Sequence, residues 1–367
     1  MNILIPNLGS TSLKYQIVEM PSEKVIAKGR SERVVDYREA LAQIGTAGAR
    51  IDAIVLKAAH AGPNYRGTFL VDDALIAAMK QFRAAAGIHN TIYLNAISIF
   101  QKEMPGVPII CAFEPEFHAN RPDHARYYGV PDNWRDEGVI KYGFHGASHQ
   151  FVAERVAQIV GPKSRLISCH LGGSSSVCAI LDGRSIDHTM GFSPQSGLEN
   201  ATRPGDLDVY AVLYMMERHK WSIDDTRQIL DKQSGLTGMS GIDGGDVRDL
   251  EAAAKAGSKR AELALQTFVY ETKKAIGSFA AAMGGVDVIT FAGGIGENAV
   301  NLRASICEGL DFLGVKLDPA KNASGPTERT LAKDDSKVAL WTIQTDEEVI
   351  VARRGYRVLS ALKAKAS

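Results

Sequence analysis

The chain has little that would tie it to a membrane, a nucleic acid or an oxidising compartment. Cysteine is scarce: Cys111, Cys169, Cys178 and Cys307 are scattered through 367 residues with no C-x-x-C and no clustered spacing. That excludes a disulfide framework and fits reduced thiols in a cytoplasmic protein. An excess of one charge is also missing, because Lys+Arg and Asp+Glu both number 42. Nothing therefore draws the chain to nucleic acid or to an anionic lipid surface. No apolar run is suited to crossing a bilayer; the best stretch, Phe279 to Gly296, carries Asp287. At the start, Met1-Asn-Ile-Leu-Ile5 meets Pro6 before an apolar leader could develop, so no signal peptide is expected. A Walker A sequence is absent as well, which argues against a P-loop nucleotide site.

What is present is an ordinary globular composition, 45% hydrophobic and 23% charged. The length suits two domains of ~100–200 residues each. One unit occurs twice. Ile3-Leu-Ile5 leads through Asn7-Leu-Gly-Ser-Thr-Ser-Leu-Lys14 into Tyr15–Val18. Later Leu166–Cys169 leads through His170-Leu-Gly-Gly-Ser-Ser-Ser176 into Val177–Leu181. Strand, glycine-rich polar turn and strand make a hairpin whose tip offers backbone N–H groups and hydroxyls to an anion. Two such tips predict two similar domains facing one phosphate chain.

The rest alternates strand and helix signals. Helical patterns are expected at Tyr37–Ala47, Asp73–Ala86, from Ser148 to about Ile159, Asp206–His219, Ile223–Lys232, Ser258–Met283, Asn301–Leu310 and after Glu348. Buried strands are expected at Ile51–Leu56, Pro108–Phe113, Val286–Phe291 and Val338–Ile343. Asn120–Gly143 has little periodicity and is where the chain is expected to cross between domains. Alternation that begins with a hairpin meander implies mixed-sheet α/β domains.

Several motifs are decoys. Gly294-Ile-Gly296-Glu-Asn-Ala299 follows a strand and fits a dinucleotide fingerprint; Asp311 and Asp318 are close to the spacing of its acidic residue, but the apolar run between them is too short for the second strand. A glycine turn against a nucleoside is the better reading. His145 and His149 have metal-site spacing without the glutamate of H-E-x-x-H, so zinc is not expected. Glu114, Glu347 and Glu348 follow apolar strands, where α/β folds gather ligands and magnesium. Each alone reads equally well as a solvated turn acid, and Arg203 alone as a surface arginine.

Together these residues resemble the acetate kinase family, the acyl-phosphate branch of the superfamily that includes sugar kinases, heat-shock ATPases and actin. The anchors run in order along nearly the whole chain: Asn7–Tyr15, Lys141-Tyr-Gly-Phe-His-Gly-Ala-Ser-His149, His170–Ser175, Met190–Pro194, Gly197-Leu198, Thr202-Arg203, Ala292–Asn298 and Thr345–Glu348. The resemblance implies a two-domain actin-like ATPase (ribonuclease H-like) fold with duplicated mixed sheets. Domain I would comprise 1–118 plus 349–367, and domain II 119–348. It implies an ATP- and Mg²⁺-dependent (or Mn²⁺-dependent) carboxylate kinase, making ADP and an acyl phosphate from acetate, propionate or a somewhat larger acid. A homodimer and domain closure over the ligands are implied by it alone.

Carried over by position, the resemblance places Asn7 and Glu347 on the metal. Around the nucleotide it places Ser10, Ser12, Lys14, His170, Leu171, Gly172, Gly173, Ser174, Asp246, Val247, Arg248, Gly294, Ile295, Gly296, Glu297 and Asn298. His145 and Arg203 would stabilise the phosphoryl group in flight, with Glu114 as the third catalytic residue. Lys57 would meet the acid, and Ala59, Ile88, Phe144 and Pro194 would line the pocket for its alkyl group. A carboxylate nucleophile of pKa about 4–5 is already ionised at pH 7, so catalysis should be alignment plus positive charge. Glu114 then orients a metal-bound water rather than acting as a base.

The chain departs from the family pattern on the acceptor side. Lys57 replaces an arginine and loses its bidentate grip. Glu114 replaces an aspartate and is followed by Pro115-Glu116; Gly173 replaces an asparagine and Ala59 a valine. Two other readings stay open: a kinase of this fold with a hydroxyl acceptor, for which Glu114 would regain a base role, and a non-catalytic nucleotide sensor.

Overall fold

The structure, a computed structural model, describes residues 1–8, 12–32, 44, 48–86 and 88–366. The tip residues 9–11 and most of the helix expected at Tyr37–Ala47 lie outside these. The described strands form two six-stranded sheets. The first is built from β1 (Asn2–Leu8), β2 (Ser12–Glu19), β3 (Lys24–Glu32), β4 (Ala53–Ala58), β5 (Thr68–Leu70) and β6 (Ile109–Phe113), in the order β3-β2-β1-β4-β6-β5. The second is built from β7 (Arg165–His170), β8 (Ser176–Leu181), β9 (Arg184–His188), β10 (Val288–Ala292), β11 (Arg329–Thr330) and β12 (Ala339–Thr342). Its order, β11-β12-β10-β7-β8-β9, is the same topology read from the other edge.

The likeness extends to strand direction and irregularity. In each sheet the first three strands form an antiparallel meander, the next two strands inward are parallel, and the outermost is antiparallel. The register slips once in each meander, between Ile17 and Val18 and between Ala179 and Ile180. The duplicated mixed sheets expected from the two hairpins are present.

Alternation along the central strands explains why each sheet is covered on both faces. Leu4, Ile54, Leu56, Ile109, Cys111 and Phe113 join one core with the helices Asp73–Gln81 and Ile88–Glu103. Their neighbours Ile3, Ile5, Ala53, Val55, Ile110 and Ala112 join another with the C-terminal helix Glu347–Ala366. In the second sheet Ile167, Cys169, Ile289 and Phe291 pack on the long helix Lys259–Ala282. Leu166, Cys178 and Val288 pack on the helix Gly146–Val160. Fully buried side chains such as Phe268 and Phe291 contribute about 1.5–3 kcal/mol each.

The C-terminal helix and Gly146–Val160 meet between the sheets. Buried Arg354 donates there to Gln150 Oε1 at 2.6 and 3.1 Å, and Arg353 bridges Glu23 and Glu154.

The helix expected after Ser148 starts earlier, at Gly146, and the helix Ile88–Glu103 has no counterpart in the sequence expectation. Buried Asn90 interrupts its apolar stripe, because the side chain bonds the carbonyls of His60 (2.7 Å) and Met79 (3.0 Å). All four cysteines are free and buried, and burial pushes the Cys111 and Cys178 thiols up to about 12. No helix among the described residues is long and apolar enough to cross a membrane.

Candidate active site

The duplicated topology brings the carboxyl ends of equivalent strands into one place. Asn7 is the penultimate residue of β1, Lys57 that of β4, and Glu114 is the first residue after β6. From the other half, Glu347 and Glu348 start the C-terminal helix shortly after β12. Lys57 Nζ sits 2.5 Å from Glu347 Oε2 and 3.8 Å from Glu114 Oε1, so one ammonium holds a carboxylate from each half. Asn7 Nδ2 donates at 3.4 Å to Glu348, not to Glu347.

Burial opposes charge throughout this group. At Glu347 the attraction of Lys57 and His170 outweighs burial and holds the carboxyl at about 2. The Lys57 ammonium is kept above its ordinary value by Glu347 and Glu114 against the same penalty. Glu114 is pushed up, first by burial and then by Glu347, although Lys57 pulls it down. Its Oε2 is buried without a hydrogen-bond partner.

The segment Gly143-Phe-His-Gly146 connects this cluster to the second sheet. His145 precedes its helix at φ 53°, a left-handed conformation that side-chain-bearing residues seldom adopt outside constrained sites. Gly146 is required by contact: a Cβ there would lie 2.0 Å from the carbonyl oxygen of Glu114. The tight turn aims His145 at the centre, with Nδ1 2.9 Å from Ser176 Oγ and the ring stacked 4.2 Å from His170.

His145 belongs to a train of five imidazoles. His149 bonds Ser168 and Ser176 at 2.9 Å each, and His170 Nδ1 meets Ser148 Oγ at 2.7 Å. His149 contacts His188 at 5.1 Å, and His188 contacts His118 at 4.4 Å between ring centroids. His118 Nε2 faces the Phe144 carbonyl at 2.9 Å and therefore carries its proton there. Burial lowers all five, with mutual repulsion adding to it for His118, His145, His149 and His188. The centre is lined by neutral rings. His145 alone among the five was singled out for catalysis from the sequence; the others sit at scattered positions that only the fold assembles.

Arg203 is fixed by backbone around it. Its Nη1 donates to the Pro194 carbonyl at 3.0 Å, joining the residue expected on the phosphoryl group to one expected in the acid's alkyl pocket. The loop bearing it is pinned by Asn200, whose N–H reaches Arg203 O at 3.0 Å and whose side chain accepts from Ser175 N–H at 2.6 Å. Gly235, at φ +60°, packs so closely that a Cβ would lie 2.4 Å from Arg203 O. Asn200 and Gly235 carried no local signal in the sequence.

On the second sheet eight of the expected nucleotide residues line one cavity of ≈ 580 Å³, and His170, Leu171, Ser174, Gly296 and Glu297 are not on its wall. Gly172, Gly173, Asp246, Val247, Arg248, Gly294, Ile295 and Asn298 are on its wall, joined by Gly244, Gly245 and Glu251. Gly293–Asn298 is a short helix rather than an open turn, because Leu171 O accepts from Ile295 N–H (2.9 Å) and Gly296 N–H (3.1 Å). Leu171 thus contributes backbone while its side chain fills the core. Asp246 pairs with exposed Arg248 at 2.6 Å and is held at about 2 by it. Ser174 is half-buried in the second tip, and burial raises Glu297.

Ala59 and Phe144 are buried near His60, whose ring lies 6.2 Å from Phe144 and 6.1 Å from Phe192. Ser12 and Lys14 lie on β2, with Lys14 opposite Asn7 in register. Ser10 and the side chain of Ile88 are outside the described residues.

The sequence profile of the acetokinase family matches residues 37–353. The acetate kinase of Thermoanaerobacterium thermosaccharolyticum is 38% identical, with 99% of this chain and 100% of the relative covered. The crystal structure of Porphyromonas gingivalis acetate kinase superposes with TM-score 0.86 at 31% identity, covering 98% of this chain and 99% of that one. A propionate kinase from Francisella tularensis superposes at 0.88 with 29% identity, covering 96% and 98%. The architecture is the duplicated actin-like ATPase fold.

Proposed function

The chain belongs to the acetokinase family, and from that membership and the site just described we propose that it is an ATP-dependent carboxylate kinase. It transfers the γ-phosphoryl group reversibly to acetate, propionate or a somewhat larger acid. The observation that carries this reading is Arg203, half-buried, bonded to the Pro194 carbonyl and tied through Asn200 to the glycine turn of the nucleotide cavity. A fixed cation between a nucleotide pocket and a second, charged cluster is what phosphoryl transfer requires.

In this mechanism the nucleoside occupies the 580 Å³ cavity, and its phosphates run past the Gly172–Ser174 turn toward Arg203. The acid lies on the Lys57 side with its alkyl group against Ala59, Phe144, Pro194 and Ile88. One carboxylate oxygen attacks γ-phosphorus, the bond to the β,γ-bridging oxygen breaks, and ADP leaves with that electron pair. No proton moves. Arg203 offsets the charge on the equatorial oxygens. Neutral His145, with Nδ1 turned to Ser176, offers its Nε2–H to the same oxygens.

The residues fit a hard divalent cation. Asn7, Glu347 and Glu348 offer oxygen, and Glu114 keeps a buried oxygen without a partner. Among the described residues no three His, Cys, Asp or Glu side chains form a metal group by themselves, but Mg²⁺ is commonly held by one or two carboxylates plus phosphate oxygens and water. Asn7 and Glu347 would hold it, and when bound it neutralises phosphate charge. Mn²⁺ satisfies the same donors.

The lobes are 1–118 with 349–367 and 119–348, closing on one another about the ligands. The helix Val209–His219 buries none of its residues and exposes Val209, Tyr210, Leu213 and Tyr214. Such an apolar face suits a homodimer, and a reaction fed by ATP, with four free thiols, suits the cytoplasm.

Hydroxylamine trapping of acyl phosphate tests the reading, using ATP, Mg²⁺ and acids from formate to valerate. Hydroxamate that depends on both acid and ATP is expected. Its absence with every acid, alongside ATP consumption with polyols, would transfer the assignment to a hydroxyl kinase.

A further inference from the structure

Lys57 is the cation expected to receive the acid, and Glu347 the carboxylate expected to hold the nucleotide's metal. In the structure they are spent on each other at 2.5 Å, although 290 residues separate them in the chain. Among the described residues the groups that face Lys57 are Glu347, Glu114 at 3.8 Å, the Tyr93 phenol from the helix Ile88–Glu103, and the His170 ring. Glu348 adds a further carboxylate beside Asn7. In a metal-free centre of this kind the carboxylates repel an incoming acid, and the Lys57 ammonium is already paired.

We propose that the Lys57–Glu347 pair is a latch that makes acid binding depend on prior engagement of Glu347 by the nucleotide-bound metal. When Glu347 turns to that metal, Lys57 loses its strongest partner and becomes available to the acid. The carboxylate is then recruited only when the phosphoryl donor is in place. A lysine suits this role where arginine would not. Its ammonium is a single mobile point charge on a flexible stem, whereas a guanidinium could grip Glu347 and the acid at once through its fork. The latch rests on the carboxylate-kinase reading and adds to it an order of binding.

The experiment measures propionate affinity by ligand-observed NMR without metal, in EDTA, for the wild type, E347Q, E114Q and the double variant K57M/E347Q. Freeing Lys57 by E347Q should strengthen metal-free propionate binding by about five- to tenfold. E114Q removes the same charge but leaves the latch closed, so its gain should be much smaller. The E347Q gain should disappear in K57M/E347Q. Equal or weaker binding by E347Q, or a gain that survives loss of Lys57, overturns the latch.

A second measurement needs no variant. MgADP should tighten propionate binding to the wild type by a similar factor, and ADP in EDTA should not; equal effects of the two would also overturn it. Wild-type hydroxamate formation is independent of these outcomes, so failure of the latch and failure of the kinase reading are distinguishable.

Discussion

The two sheets share one strand order and even the position of a register slip, yet they present different chemistry at equivalent edges. At the end of β7 the second half places His170 and a glycine turn, and after β10 a short helix, all bound together by backbone hydrogen bonds. At the corresponding ends of β1, β4 and β6 the first half places Asn7, Lys57 and Glu114, side chains that act through charge. A nucleotide is the same large ligand in every cycle, and fixed backbone suits it. A small anion must be attracted and released, and mobile side chains suit that. Of the residues at which the family resemblance implies a departure, Lys57, Ala59 and Glu114 lie on the charged half, and Gly173 lies in the backbone-built tip.

The comparison can be stressed at four points. The largest effect is expected from pH, because the second half is lined with imidazoles held neutral by burial. His118, His145, His149 and His188 are lowered well below their ordinary value. Below a pH of about 6.5 the unfolded chain binds protons that the folded chain refuses, so stability falls as pH drops. Each such group costs about 1.4 kcal/mol per pH unit within its window. The melting temperature should decline steeply between pH 7.5 and 5.5, and a flat profile would show that these rings take up protons in place.

Arg203 is held beside the glycine turn of the nucleotide cavity, so Arg203→Ala should lower kcat by about 10²–10³-fold while leaving nucleotide affinity little changed. Steady-state kinetics with calorimetry of ADP binding checks both parts. On the acceptor side Ala59→Val should shift preference toward shorter acids by about 10-fold or more per methylene lost from the pocket. The ratio of kcat/KM for butyrate and acetate reads this directly. At the joint, Gly146→Ala would drive a methyl group into the Glu114 carbonyl and should cost about 1–3 kcal/mol in denaturant unfolding.

The strand–turn–strand units were legible because hairpin tips and alternating apolar runs are local signals; the eight nucleotide residues that share one cavity were expected from the family resemblance instead. Other parts were hidden by distance. Nothing near Asn200 or Gly235 announces that they brace Arg203, since the contacts run from loop backbone to loop backbone. The Gly293–Asn298 segment reads as a turn until Leu171 O supplies acceptors for its N–H groups. Asn90 disguises a long helix by satisfying two carbonyls inside the core. The pairing of Lys57 with Glu347 is visible only once both sheets are folded.

The central claim is that the first half holds the acid and the second half the nucleotide. Initial rates of Lys57→Met with propionate and ATP both varied test it most directly. The KM for propionate should rise by about tenfold or more while the KM for ATP does not rise. An equal rise in both constants would contradict the division.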